Sequence, residues 1–418
     1  MNVNGFFPAA QHAGEFLRQA ELVVGIASHN NASTIRGVVR TVFDGLGQYF
    51  PQFTSVVVHV DAGSTDNTRQ EVLAARAGEE HLLTFGEGAS LRLILDVAAR
   101  LGARACAIVN PDVRSISPAW VDSLVRPVLF AHIDLVAPEY HRHKFDGAIT
   151  HQLVYPMTRM LYGSTLRPQV GGEFAMSRRL IERLLSRPDW EEHVPEYGPD
   201  IWIATIALAE KFAVCQSFLG QRAHDAQGRR NDLVGTLRRV TGSLFTMMLE
   251  WERIWQCRSG PRAAPHFGCP MEMSVEPRPV DVEPMIAAFR QGARDLEDVW
   301  RIALSRTTLG AVRKTVNSNP FEFRDDLWVR VIFDLACAFK DHPWRREHVT
   351  SSLAPLYMGR LASFLREIEA MPAEEVAARV EQLCFSFEKA KPDLIRQWNG
   401  HSTLKEAPRH GRYVSSPA

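Results

Sequence analysis

Between residues 22 and 138, short apolar runs alternate with segments whose apolar residues recur at helical spacing. Leu22–Ala27 (LVVGIA) is short and apolar throughout, which predicts a buried strand. Ile35, Val38, Val39, Val42, Phe43 and Leu46 then share one face of a helix predicted over Ala32–Phe50. Thr54–Val60 (TSVVVHV) is β-branched and predicts a second strand. It ends at the turn-rich DAGSTDNT, with a helix after it. His81–Phe85, Ala105–Asn110 and Leu135–Ala137 predict three more strands, and Ser90–Leu101 and Trp120–Phe130 the helices between them. Such alternation predicts an α/β fold, a Rossmann-like and mostly parallel sheet with helices on both faces. Ligands of these sheets bind beyond the carboxyl ends of the strands. Ala27–Asn31, Asp61–Asp66 and Asn110–Asp112 are thereby expected at one rim.

The pattern is mixed from about 150 to 240, with a glycine stop at Gly171-Gly172, and strand signals fade beyond 240. Thr241–Trp255, Met285–Leu304, Asp325–Phe339, Ser351–Glu369 and Ala373–Lys391 predict amphipathic helices. Gly260–Pro284, rich in Pro and polar residues, is the candidate linker. The expected organisation is a catalytic domain over 1–240, a helical C-terminal region over 241–400 and a loose polar tail over 401–418.

Composition narrows the classes. Apolar residues make up 45% and charged residues 23%, the balance of a globular protein. Lys+Arg and Asp+Glu are both 48, and this neutrality argues against a bulk electrostatic grip on nucleic acid or an acidic membrane. The six cysteines contain no CxxC pair, which predicts reduced thiols and neither a disulfide framework nor a zinc site. No signal-peptide pattern opens the chain, and no apolar run approaches the ~20 residues of a membrane span. A soluble cytoplasmic protein is expected.

Each candidate motif has two readings. Asp61-Ala62-Gly63-Ser64-Thr65-Asp66 can be a strand-to-helix turn in which Ser64, Thr65 or Asp66 caps the next helix. It can also hold a nucleoside through Asp61 and Ser64. Asn110-Pro111-Asp112 is either a capped turn or the place where a carboxylate binds a hard divalent cation that bridges a diphosphate. His224, in QRAHD, is structural or completes a metal site with Asp112, with Arg222 facing phosphate and Asp225 orienting the imidazole. Gly172-Glu173 is a turn and helix start, or a carboxylate brought near a sugar by close backbone approach. Phe145–Thr150, flanked by His141, Arg142, His143 and Lys144, is a solvated basic turn or an acceptor pocket for a small anion. No GxxxxGK[ST] phosphate loop occurs in the chain.

Together these motifs resemble a known family. LVVGIASHNNASTI, VVVHVDAGSTDNT and AIVNPDVRSISPAW follow the order of nucleotide-sugar transferases of the GT-A fold. DGAITHQLVYPMTRMLYGSTLRPQVGGEFAMS and YGPDIWIATIALAEKFAVCQSFLGQRAHD resemble the glucosylglycerate synthase and glucosyl-3-phosphoglycerate synthase group. The resemblance covers roughly residues 20–230. LWVRVIFDLACAF and LAPLYMGRLASF are similar to the C-terminal extension of the glucosylglycerate synthase branch.

The resemblance implies a retaining hexosyltransferase that moves glucose from GDP- or UDP-glucose to glycerate. Its alternatives are 3-phosphoglycerate as acceptor, a mannosylglycerate synthase, or an impaired nucleotide-sugar-binding subunit. It implies Mg2+ or Mn2+ held by Asp112 and His224, with Asp112 and Glu173 catalytic. It also implies donor contacts from Ala27, Asn30, Asp61, Ser64, Asn110 and Arg222, acceptor contacts from Ile149, Thr150 and Gly172, and a homodimer. Three departures stand out: Asn110 where the family has Asp, Ala62 where many GT-A enzymes have a second Asp, and Glu87 where phosphoglycerate-using relatives have Lys. The last replaces a phosphate-binding cation by an anion and implies stronger reliance on the metal.

Overall fold

A computed structural model of the protein describes residues 10–11, 18–76, 81–86, 90–141, 145–168, 172–188, 190, 199–222, 233–268 and 280–403. Nine strands form one sheet among them: β1 (Ala10–Gln11), β2 (Leu22–Ser28), β3 (Ser55–Asp61), β4 (Leu82–Phe85), β5 (Ala105–Val109), β6 (Leu135–His141), β7 (Phe174–Ser177), β8 (Val214–Gln221) and β9 (His266–Phe267). Their order is β1-β4-β3-β2-β5-β7-β6-β8-β9. The central strands β4, β3, β2 and β5 are parallel, as are β6, β8 and β9. β7 runs antiparallel between β5 and β6, and β1 antiparallel along β4. The expected mostly parallel α/β sheet is therefore present. The antiparallel insertion of β7 is the feature that the hydrophobic pattern did not predict.

Alternation along β2 divides its side chains between two layers. Leu22, Val24 and Ile26 join a core with α1 (Ile35–Tyr49), α2 (Thr68–Ala75) and α4 (Pro118–Phe130), through Val38, Val42, Val72 and Leu124. Gly25 faces the other layer, under Ile94 of α3 (Ser90–Arg100). α1 starts at Ile35, later than expected, because Asn31 accepts hydrogen bonds from the amides of Thr34 and Ile35 and so forms its first turn.

Beyond β6, a π-helical turn (Thr150–Val154) leads into α5 (Tyr155–Tyr162), followed by α6 (Arg178–Leu185), α7 (Pro199–Ala209), α8 (Leu233–Glu250) and α9 (Glu252–Cys257). Every residue of α7 from Ile201 to Ala209 is buried, which explains why its sequence lacks an amphipathic period. The helix expected over Thr241–Trp255 is two helices that meet at Trp251. The Trp255 indole donates to the Met248 carbonyl across that break at 2.9 Å.

The described residues fall in two compact units, one within Met1–Val280 and Met371–Val380 and one within Asp281–Ala370 and Glu381–Ala418. The first unit thus extends to Val280, past the point near 240 where strand signals fade. α8 belongs to the first unit, where the Tyr162 hydroxyl donates to the Met247 carbonyl at 3.4 Å.

The second unit is helical: α10 (Glu283–Asp295), α11 (Glu297–Ala303), α12 (Arg306–Val316), α13 (Asp325–Asp341), α14 (Arg346–Ser351) and α15 (Leu353–Ile368). It also takes in α16 (Ala373–Thr403) from Glu381 onward. The helix expected over Met285–Leu304 is broken at Leu296, between α10 and α11. Arg360 is wholly buried in this unit, 2.7 Å from the Asp325 carboxylate and donating to the Phe323 carbonyl at 2.8 Å. A buried guanidinium persists only when paired in this way. The tail from 404 lies outside the described residues. Among the described residues no helix is long and apolar enough to cross a membrane, and Cys106, Cys215, Cys257, Cys337 and Cys384 are free thiols.

Candidate functional site

The carboxyl ends of β2 and β3 are tied together by side chains of the two loops that follow them. Asn30 takes a left-handed backbone (φ 55°), a conformation that Asn tolerates better than most residues. Its amide donates to Ser64 Oγ at 2.9 Å, and Ser64 Oγ donates to Asp61 Oδ1 at 2.5 Å. The Ser64 amide donates to the same Asp61 oxygen at 3.1 Å, and the Thr65 amide donates to Asn30 Oδ1 at 2.8 Å. Asp61 is buried. One of its oxygens therefore shapes the turn, and Asn30, Asp61 and Ser64, all expected to contact the donor, form one connected group. His29 Nδ1 lies 3.1 Å from the Ala62 carbonyl, which can only accept, so the proton sits on Nδ1 and Nε2 accepts from the Asn30 side-chain Nδ2 at 3.3 Å.

Beneath this rim His59 is fully buried, its Nε2 2.7 Å from Ser28 Oγ. Burial pushes its pKa down to about 4, and Arg69 adds to this against the opposing charge of Asp61. His59 is therefore neutral at physiological pH, and it orients the hydroxyl of a rim serine.

A cavity of about 810 Å³ opens at this end of the sheet. Ala27, Asn30, Asn110, Asp112 and Gly172 line it, five of the residues expected in the site, together with Ser28, His29, Thr34, Ala62 and Asp200. Ile94 and Ile108 contribute apolar surface. The NPD turn is held from both sides: Thr34 Oγ1 donates to the Pro111 carbonyl at 2.7 Å, and the Asp112 amide to Asn110 Oδ1 at 3.4 Å. Asn110 thus serves as the turn acceptor that an Asp would be, with one charge fewer. No Lys or Arg occurs among the described residues that line the cavity. α1 has no acidic residue in its first turn and begins next to the lining residues Ser33 and Thr34, with the Asp66 carboxylate accepting from the Ala32 amide just ahead of it at 3.2 Å.

Asp112 and Asp200 are hard oxygen donors that line the same space, a set that fits a divalent cation sharing its coordination with phosphate oxygens and water. Among the described residues no group of three or more His, Cys, Asp or Glu is arranged around a metal position. His224, the other expected ligand, lies outside the described residues, as do Gly171, Asp225, Arg142, His143, Lys144 and Glu87.

Glu173 stands beside the cavity. Its neighbours Gly172 and Phe174 line the cavity, but Glu173 itself does not. Its side chain is 0% exposed; the Tyr140 hydroxyl donates to its carboxylate, and the Asn110 backbone also hydrogen-bonds to it. Arg222, 3% exposed, sets a guanidinium nitrogen 3.6 Å from the other carboxylate oxygen and lies 4.9 Å above the Tyr140 ring. Burial pushes the Glu173 pKa up to about 7, Arg222 opposes the shift, and the charge of Asp112 adds to it. Arg222, expected to contact the donor, is likewise absent from the cavity lining.

Of the expected acceptor residues, Gly172 lines the cavity whereas Ile149 and Thr150 do not, and Thr150 is buried at the start of the π-helical turn. Sequence reasoning missed Asp200, Tyr140 and His59. Asp200 follows a Pro at the start of a helix, and this pattern reads as an ordinary helix N-terminus. Tyr140 and His59 sit at alternating positions of strands and read as core.

No protein-family model matches the sequence, and no curated protein matches it. Solved structures do resemble it. Glucosyl-3-phosphoglycerate synthase from Mycobacterium tuberculosis in complex with phosphoglyceric acid is 22% identical, over 58% of this chain and 86% of that one, with a TM-score of 0.44. The same enzyme with Mn2+, uridine diphosphate and phosphoglyceric acid is 25% identical, over 55% of this chain and 78% of that one, with a TM-score of 0.43. The family that the sequence motifs resemble is the one named by these solved structures, and the likeness extends over little more than half of this chain.

Proposed function

We propose that this chain is a metal-dependent retaining hexosyltransferase that moves glucose from a nucleoside diphosphate sugar to glycerate. One observation carries the reading: a cavity at the carboxyl ends of β2 and β5 is lined by Asn30, which is tied through Ser64 to Asp61, and by the Asp112 and Asp200 carboxylates, with no cationic side chain among its described lining. A diphosphate entering such a cavity needs a counter-charge that a divalent ion supplies. When bound, Mg2+ or Mn2+ neutralises charge on the departing diphosphate, and Asp112 and Asp200 hold it, with His224 proposed from the motif resemblance. Asn30, Asp61 and Ser64 fix the nucleoside end, and Ala27 gives close backbone approach. The chain supplies positioning and charge stabilisation in a partly enclosed site.

Glycerate as acceptor, and contacts to it from Ile149, Thr150 and Gly172, rest on the resemblance of the DGAIT and GGE segments. A matrix of UDP- and GDP-hexoses against glycerate and 3-phosphoglycerate, with Mn2+ or Mg2+, tests the assignment. Asp112→Asn is expected to lower turnover at least about 100-fold. Full turnover of Asp112→Asn with saturating metal would refute the metal site, and no product with any pair would refute the activity. Asp200 keeps a second reading in view, an inverting transfer with this carboxylate as base. Inverted configuration at the product anomeric carbon would establish it in place of retention.

A further inference from the structure

His29 lines the cavity and is exposed, yet the protein engages both nitrogens of its ring. Nδ1 donates to the Ala62 carbonyl at 3.1 Å, and Nε2 accepts from Asn30 Nδ2 at 3.3 Å. Each bond has a fixed sense. A carbonyl can only accept, and the Asn30 side chain is oriented by its Oδ1, which accepts from the Thr65 amide at 2.8 Å. The Asn30 backbone is held in turn through its amide, which donates to Ser64 Oγ at 2.9 Å. The His29 amide donates to Asn31 Oδ1 at 2.8 Å, which fixes the backbone that carries the ring. An exposed side chain ordinarily samples several rotamers, and these bonds hold this one. With its nitrogens occupied, the ring keeps no lone pair for a metal ion and no N–H for a phosphate. What it offers a ligand is its π face and its C–H edge. Leu91, Ile94 and Ile108 add apolar surface to the same cavity.

We infer that His29 binds the nucleobase of the donor: its ring, locked by Ala62 and Asn30, is the platform on which the base stacks. Stacking accepts any base, because every base has a π face, and one such contact is worth about tenfold in affinity. The ring is fixed before the ligand arrives, so less ordering entropy is lost on binding. The Asp112 and Asp200 carboxylates serve the diphosphate through a cation, whereas His29 serves the base. Loss of the ring is therefore felt by a nucleotide and not by a base-free diphosphate. This inference rests on the reading of the cavity as a nucleotide-sugar site.

Calorimetric titration of the full chain in the presence of Mn2+ measures affinity for UDP, GDP and inorganic pyrophosphate. His29→Ala is expected to weaken whichever of UDP and GDP the unaltered protein binds by about tenfold, and pyrophosphate by less than about twofold. Two further variants separate the ring from its hydrogen bonds. His29→Phe keeps a ring face and loses both bonds, and is expected to bind the nucleotide to within about threefold of the unaltered protein. His29→Asn keeps a donor for the Ala62 carbonyl and loses the ring, and is expected to be as weak as His29→Ala. Undiminished nucleotide binding in His29→Ala or His29→Asn, an equal loss for pyrophosphate, or a His29→Phe variant as weak as His29→Ala would overturn the proposal. The last two outcomes are those of a side chain that only ties the two loops together. If the unaltered protein binds neither UDP nor GDP, the nucleotide-sugar reading itself fails, an outcome distinct from the failure of the His29 inference.

Discussion

Gly25, in the middle of β2, offers the sharpest test of how the cavity floor is built. A Cβ at this position would lie 2.3 Å from Ile94 Cγ2, 2.9 Å from Ile108 Cδ1 and 3.1 Å from Ile94 Cδ1. Carbon atoms pack at ~3.5–4.0 Å, so Gly25→Ala demands a retreat of about 1 Å by Ile94. Ile94 is β-branched, and Cγ2 is fixed to its Cβ, so no rotation of a flexible end relieves the clash. α3 must shift, or Ile94 must leave its rotamer. Overpacking of this kind costs ~1–3 kcal/mol, which for a unit of this size lowers the thermal midpoint by roughly 2–5 °C. Ile94 and Ile108 also line the cavity, so the same displacement raises its floor, and UDP affinity is expected to fall along with stability. Differential scanning fluorimetry and calorimetric UDP titration measure the two effects. The cycle is completed with Ile94→Ala, which alone costs ~2–5 kcal/mol. Gly25→Ala/Ile94→Ala should cost less than the sum of the two by at least about 1 kcal/mol, because the new methyl occupies vacated space. An unchanged midpoint in Gly25→Ala, or strict additivity in the double variant, would refute this account of the floor.

Two further predictions concern the same unit. His59 is neutral in the fold, with its pKa lowered to about 4, but takes up a proton near 6.5 when unfolded. It therefore contributes stability that is fully present above pH 6.5 and lost as the pH falls toward 4. Relative to His59→Gln, the unaltered protein should lose about 2 kcal/mol between pH 7.5 and 5, and a difference independent of pH contradicts the assignment. Gly163 ends α5 with φ 62°, and an added Cβ would lie 2.6 Å from the Gly260 carbonyl oxygen. Gly163→Ala should destabilise by at least about 2 kcal/mol in thermal unfolding, whereas Gly47→Ala, in a helix with nothing near the added methyl, should be neutral or stabilising by up to ~1 kcal/mol. Equal effects of the two substitutions would contradict the argument.

What the sequence alone determined was the scaffold and the rim. Apolar runs and helical periods located β2, β3, β4 and β5 and the helices between them, because each of those segments has one local solution. The rule that ligands sit beyond parallel strands then brought Ala27, Asn30, Asn110 and Asp112 to one place, and all four line the cavity. Tertiary structure alone decided the direction of β7 and the partners of Glu173. In so short a strand the pattern carries no sense of orientation, and a shift of one residue in register sends a side chain to the other face. Glu173, just ahead of β7, reads as a carboxylate at the sugar, and only the fold gives it Tyr140 and Arg222 as buried partners. α7 was illegible for a related reason: its burial on all sides removes the amphipathic period, so nothing local marks Asp200 at its start as part of the cavity. Local patterning records which face of an element is apolar, whereas partners distant along the chain, which only packing brings together, decide which charges meet.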